Sequence, residues 1–311
     1  MNKLRFFMIS IGVFASTIFL YGCSNIEVDN QTAPSVISMP KGSVPEGIAI
    51  KDSTAFVTSL SQGTIYQVDL QDGSSAILNS GNNNTAVGIF HDEYGRLFVA
   101  GGSTGTVQVI DATSGDVLAN YKVSNSKQTF VNDFTQLGNA IYVSDSYESV
   151  MYKLPLGNGG ALPDQDEIET IPLTGIKYGE GYNANGISQT PDGSALLIIQ
   201  TNTGILFHVD PLNGAATPVN IGNADLTWGD GMMREGNLLY IVRNMPNTIA
   251  VLKIDDSGTS GSLQNELKSP SFDTPTAVAR HGEKLYLPNA RFTVKDPAIA
   301  DFSLSTVPYE Q

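Results

Sequence analysis

The chain has 311 residues, 41% hydrophobic and only 15% charged, with Gly at 31 positions; this excludes a coiled coil, and the recurrent Val, Ile, Leu, Tyr and Phe exclude disorder. Its 31 acidic and 17 basic residues give a net charge of −14, so nucleic acid is a poor partner, because phosphate binding needs a basic face. One Cys and three His exclude an intramolecular disulfide and a Cys-rich zinc site.

At the N-terminus, Lys3 and Arg5 precede an apolar run from Phe6 to Leu20. The run is short for a membrane span and reads as the core of an export signal. It ends at Leu20-Tyr21-Gly22-Cys23, which resembles a bacterial lipobox, where the Cys is lipidated and becomes the new N-terminus. The expectation is a lipoprotein signal peptide over 1–22, lipidation at Cys23 and a polar tether over 23–35. This implies an exported protein, lipid-anchored to the bacterial cell envelope on a periplasmic or extracellular face. The alternative is an ordinary signal peptide with a chance Cys.

Residues 36–311 are dominated by repetition. Each unit has a polar or Gly-containing opening, a short apolar strand, a turn, a second apolar strand, and a third strand ending near Asp. The first and second strands pair as Pro45–Ile50 with Ala55–Val57, and Val87–Phe90 with Leu97–Val99. The pattern continues with Asn132–Phe134 and Ile141–Val143, then Asn185–Ile187 and Leu196–Ile198. It ends with Asp230–Met232 and Leu239–Ile241, then Thr276–Val278 and Leu285–Leu287. Equivalent first positions are Glu46, Val87, Asn132, Asn185, Asp230 and Thr276, spaced 41, 45, 53, 45 and 46 residues apart. This period suits a four-stranded antiparallel blade, and no segment holds a helical period. The predicted fold is all-β, a six-bladed β-propeller of four-stranded antiparallel blades. The sixth repeat lacks a strand, which Ser35–Met39 is expected to supply.

In a propeller the first strand of each blade lines the axial channel, and the strand starts converge at one mouth. Glu46, Asn132, Asn185 and Asp230 hold that place in four blades, and all four carry side-chain oxygen. Hard cations take oxygen ligands, which points to a divalent metal, Ca²⁺ foremost, with Zn²⁺ or Mg²⁺ as alternatives. Asn-Gly and Asp-Gly are also turn signals in their own right. Glu46 is not a turn residue, however, and the shared phase favours a common side-chain role. Asp133 reads either as a base beside this set or as a structural acid.

Loops after second strands reach the same mouth and carry Arg243, Asn244 and Arg291. The longest loop between blades, Pro172–Ala184, contains Tyr182 and reads as a lid. Trp228 reads either as pocket wall or as a packing aromatic. These five residues are the candidate substrate contacts. His91 and His281 fall in turns at the far mouth and His208 on a third strand, which disfavours a Ser-His-Asp triad.

The ordered motifs resemble the SMP-30/gluconolactonase family. They are Pro45-Glu46-Gly47, Asn132-Asp133, Asn185-Gly186 with Pro191-Asp192-Gly193, and Asp230-Gly231. The resemblance covers about residues 36–295 and is strongest to a secreted bacterial branch. It implies that Glu46, Asn185 and Asp230 hold the metal and that Asn132 binds metal or substrate. It also implies that the metal polarises a lactone or ester carbonyl while Asp230, or Asp133, takes a proton from water. Arg243 or Arg291 would then hold an anionic or hydroxylated group of a small-molecule substrate. The alternative is a non-catalytic propeller lipoprotein that binds a ligand or serves as a scaffold, with a structural Ca²⁺. Nothing in the sequence fixes an oligomeric state.

Overall fold

The computed structural model describes residues 34–81 and 84–309. Cys23, the signal segment and nearly all of the tether lie outside the described residues. The fold is the expected propeller: six four-stranded antiparallel sheets. The 24 strands are numbered β1 to β24 in chain order, beginning with β1 (Val36–Met39). Blade one runs from β2 (Pro45–Lys51) to β5 (Ser75–Asn79), and blade two from β6 (Ile89–His91) to β9 (Val117–Lys122). Blade three runs from β10 (Val131–Leu137) to β13 (Glu169–Pro172), and blade four from β14 (Ala184–Gln189) to β17 (Ala216–Pro218). Blade five runs from β18 (Gly229–Glu235) to β21 (Gly261–Lys268).

Blade six is built from both ends of the described chain. It contains β22 (Ala279–His281), β23 (Lys284–Asn289) and β24 (Phe302–Pro308), and β1 is its outer strand. Val36 pairs with Ser305 and Met39 with Phe302. The ring is therefore closed by main-chain hydrogen bonds between segments at opposite ends of the sequence, as Ser35–Met39 was expected to do.

Packing explains why the second strands are continuous apolar runs rather than alternating ones. Each blade is covered on both faces by its neighbours, so both side-chain registers are buried. Ile198 packs with Ile187 and Tyr142 on the blade-three side, whereas Leu197 and Ile199 pack with Leu239 and Ile241 on the blade-five side. Six apolar clusters among the described residues fill the six clefts between adjacent blades.

Candidate functional site at the propeller axis

Four of the six first strands carry a register shift at the same place. It falls between Pro45 and Ile48, Val131 and Phe134, Ala184 and Ile187, and Gly229 and Met232. Such a bulge inserts a residue and re-aims the side chains next to it. The residues it spans include Glu46, Asn132, Asn185 and Asp230. In blades two and six the first strand begins later, at Ile89 and Ala279, and the equivalent positions are Val87 and Thr276. The Asn-Gly and Asp-Gly pairs are thus parts of strands, not turns, and their turn chemistry is unused.

Close approach between blades explains the glycines that follow. A Cβ on Gly186 would lie 2.2 Å from the Asp230 carbonyl oxygen, and one on Gly88 would lie 2.3 Å from that of Asn132. Both oxygens are backbone, so neither can move aside cheaply. Hydrogen bonds stitch the same ring together. Thr58 donates to Val87 O, the Gly88 N–H to Asn132 O (3.0 Å), and Ser144 to Asn185 O (2.6 Å). Thr201 donates to Gly229 O (2.7 Å), the Gly231 N–H to Thr276 O (2.8 Å), and Thr276 to Glu46 O (2.6 Å).

These bonds also fix the two amides. The Ser146 hydroxyl proton goes to Ala184 O (2.7 Å), so Ser146 Oγ accepts from Asn132 Nδ2 (2.9 Å). The Thr201 proton goes to Gly229 O, so its oxygen accepts from Asn185 Nδ2 (3.0 Å). Each nitrogen is thereby assigned, and each Oδ1 is left as an acceptor without a protein donor among the described residues. Asp230 Oδ2 accepts from Asn244 Nδ2 (2.8 Å). The Glu46 carboxylate has no protein donor among the described residues.

Two cavities meet at this ring, one on each side, and both have Glu46, Asn132, Asn185 and Asp230 in their walls. These four residues are between 3% and 8% exposed. Burial, together with the charges of Asp230 and Asp133, raises the Glu46 carboxyl well above the ordinary range. Asp230 is pushed up to about 7, chiefly by burial, against the opposing bond from Asn244. Asp133 is also raised to about 7 by burial. The described residues contain no group of three His, Cys, Asp or Glu arranged to hold a metal. The ring pairs two carboxylates with two amides instead.

The near-mouth cavity is about 350 Å³ and is walled by Leu60, Val87, Phe130, Tyr182, Trp228, Met245 and Phe292, with Asn244 beside Asp230. Trp228, at 50% exposed, is wall and not packing. Tyr182 also lines the cavity, so the structure gathers Asn244, Trp228 and Tyr182 around the ring. It does not bring Arg243 or Arg291 to either cavity. Arg243 is buried between Asp225 (2.7 Å) and Glu266 (2.8 Å), where it braces the chain leading to Trp228. Arg291 is bound to Asp273 (2.7 Å) and to Asp301 O (2.6 Å). Asp133 belongs to the far-mouth cavity of about 260 Å³, with His91, Glu235 and Arg280. A role there differs from that of Asp230, because Asp133 faces away from the near mouth.

The Pro172–Ala184 loop is a tied wall rather than a lid. Asn183 accepts from Gly179 N (2.8 Å) and Gln200 Nε2 (3.0 Å), and its Nδ2 donates to Gly181 O (2.9 Å). Tyr178 OH donates to Asp145 O (2.8 Å). Sequence reasoning missed Phe130, Tyr147, Met245 and Phe292. Asp145 explains part of that set. Its buried carboxylate accepts from the N–H groups of Phe130 and Tyr147, each at 2.9 Å, and so presents both rings at the mouth. The usable signal was position: all four sit on segments flanking the near mouth.

No protein-family model matches the chain, and no curated protein sequence matches it either. Solved structures do. The allergen Mala s 1 of Malassezia sympodialis superposes with a TM-score of 0.69 at 16% identity, covering 88% of this chain and 96% of that one. A calcium-binding regucalcin from Agrobacterium tumefaciens gives 0.61 at 15% identity, covering 87% and 93%. Virginiamycin B lyase from Staphylococcus aureus gives 0.58 at 16% identity, covering 81% and 80%. At such identities the likeness extends to the six-bladed propeller fold and carries no chemistry with it.

Proposed function

We propose that the protein is a divalent-cation-dependent hydrolase of lactones or related esters, acting at the near mouth of the axis, with Ca²⁺ as its cation. The observation that carries this reading is an unbalanced charge. Glu46 and Asp230 are buried on the ring, and among the described residues no Lys, Arg or His lines the near-mouth cavity, while Arg280 of the far-mouth cavity is paired with Glu235 and Glu283. Buried carboxylates without a counter-charge either hold a proton or bind a cation. Two carboxylates and two free amide oxygens form an all-oxygen donor set, which suits a hard cation.

Glu46, Asn132, Asn185 and Asp230 would hold the ion, which when bound would supply Lewis-acid polarisation of a carbonyl. Asp230, oriented by Asn244, accepts the proton of a water whose oxygen adds to the carbonyl carbon. Deprotonated, as cation binding requires, the Asp230 carboxylate keeps a lone pair for that transfer. The ring C–O bond then breaks, the proton returns to the departing alkoxide oxygen, and the product is a hydroxy acid. The neighbour described as a calcium-binding regucalcin is consistent with calcium as the cation.

The test is metal analysis and calorimetric titration of Ca²⁺ into chelated protein of residues 24–311, followed by a lactone and ester panel. One ion per chain and calcium-dependent turnover are expected. One ion with no turnover would leave a ligand-binding propeller with a structural calcium. Absence of binding would reduce the ring to a structural role.

Cys23 is the proposed lipidation site and anchor. Expressed in a bacterial host, Cys23→Ser should move the protein from the membrane fraction to the soluble fraction. An unchanged distribution would remove the anchor.

A further inference from the structure

The near-mouth cavity has a sharp division of chemistry. Its floor is polar, made by Glu46, Asn132, Asn185, Asp230, Asn244 and Thr201. Its walls and rim are apolar. Trp228, Met245, Phe292 and Tyr182 are 50%, 44%, 45% and 41% exposed, a concentration of large apolar groups at the mouth of a concave site.

The rim is held in place. Tyr182 meets Phe130 edge-on at 5.2 Å and Tyr147 at 5.1 Å between ring centroids. Trp228 has φ +65°, a left-handed conformation that bulky residues seldom adopt, and such outliers collect at ligand sites. Its N–H donates to Thr201 O (2.9 Å), and its carbonyl accepts from the Asn244 N–H (3.1 Å). The same two neighbours bond the ring residues Asn185 and Asp230 through their side chains. The Trp228 main chain, from which the indole projects into the cavity, is therefore positioned relative to the polar floor.

The walls offer no cation to an anionic ligand, since Arg243 and Arg291 are spent on ion pairs elsewhere. They also offer few partners to a polyhydroxylated ligand. Hydroxyls brought against Leu60, Val87, Trp228 and Phe292 would lose water without replacement. Resting on the reading above, we propose that this cavity selects a neutral carbonyl compound with an apolar body, an alkyl- or aryl-substituted lactone or ester rather than a sugar lactone. The carbonyl end meets the polar floor, and the apolar body lies against the Trp228 rim.

Trp228 is the single Trp of the chain, so its fluorescence reports binding without requiring turnover. Calcium-loaded protein is titrated with γ-dodecalactone, glucono-1,5-lactone and tetrabutylammonium, and hydrolysis of each lactone is followed separately. The expected result is a blue-shifted emission with γ-dodecalactone and a Kd at least about tenfold below that of glucono-1,5-lactone. Phe292→Ser, at an exposed rim position, should weaken γ-dodecalactone by about tenfold while leaving the calcium isotherm unchanged. Equal or tighter binding of glucono-1,5-lactone overturns the proposal, and so does tighter binding of tetrabutylammonium, which would assign the aromatic rim to a cation. Binding of γ-dodecalactone without hydrolysis keeps the selectivity and removes the hydrolase. Hydrolysis of glucono-1,5-lactone alone does the reverse.

Discussion

Asp230→Asn is expected to weaken calcium binding by about a hundredfold or more and, in the same protein, to raise the melting temperature of the calcium-free form at pH 8. The two effects have one cause. The substitution preserves shape, and the new amide oxygen still accepts from Asn244. It removes one of the two negative charges on the ring, and calcium affinity depends on ligand charge. Without the ion, that same charge is buried beside Glu46 and has no ion-pair partner among the described residues. Removing it relieves desolvation and like-charge repulsion, on the order of 2 kcal/mol, or about 4–8 °C in a domain of this size. Asn244→Ala is the companion variant. It leaves the charge in place and removes only the bond that orients it, so its effect on calcium should be about tenfold. Calorimetry and thermal melts with and without chelator decide the matter. A folded Asp230→Asn protein that binds calcium as the wild type does would remove Asp230 from the metal site.

The fold was legible because repetition multiplies a weak signal. A single stretch such as Leu196-Leu197-Ile198-Ile199 fits a buried helix turn as well as a strand. Six such stretches at one phase, each following a polar or Gly-containing opening, fit a propeller. The missing strand of blade six was legible for the same reason, since an incomplete last unit and a strand-like Ser35–Met39 complete each other. The axial residues were legible as a shared phase, but their cause was not. Asn185-Gly186 reads as a turn pair from its residue types alone, whereas it lies in a bulged strand with Gly186 against the Asp230 carbonyl of the next blade. The rim was largely illegible. Phe130 stands two residues before Asn132 as Trp228 stands before Asp230, but residue type varies from blade to blade at these positions, and only three-dimensional closure of the ring brings Phe130, Met245 and Phe292 together. Arg243 shows the opposite error. A cation beside the mouth reads as a substrate contact until Asp225 and Glu266 are found on either side of it.

The calcium-free protein should lose stability as pH rises from about 4.5 to about 8, which is the reverse of an acid-labile protein held by salt bridges. The sign follows from proton counting. In the unfolded chain Glu46, Asp133 and Asp230 ionise near pH 4. In the folded chain Asp133 and Asp230 keep their protons up to about 7, and Glu46 is held well above its ordinary value. Between those limits the folded state binds more protons than the unfolded state, so unfolding becomes easier as pH increases. The loss is absent below the ordinary carboxylate range and complete only above the folded-state values, and at about 1.4 kcal/mol for each pH unit separating the two states it amounts to a few kcal/mol for each of Asp133 and Asp230. Calcium changes the slope, because binding requires the deprotonated carboxylates and releases their protons. Affinity should therefore strengthen as pH rises toward neutrality, and the stabilisation conferred by a fixed calcium concentration should grow over the same interval. Melting curves at pH 5, 6, 7 and 8, each with chelator and with excess calcium, separate the two trends. Converging curves at pH 5 and diverging curves at pH 8 are the expected result. A chelated protein that gains stability from pH 5 to pH 8 would show that the ring carboxylates are ionised at pH 5 without a cation, and the charge imbalance that carries the calcium reading would be gone.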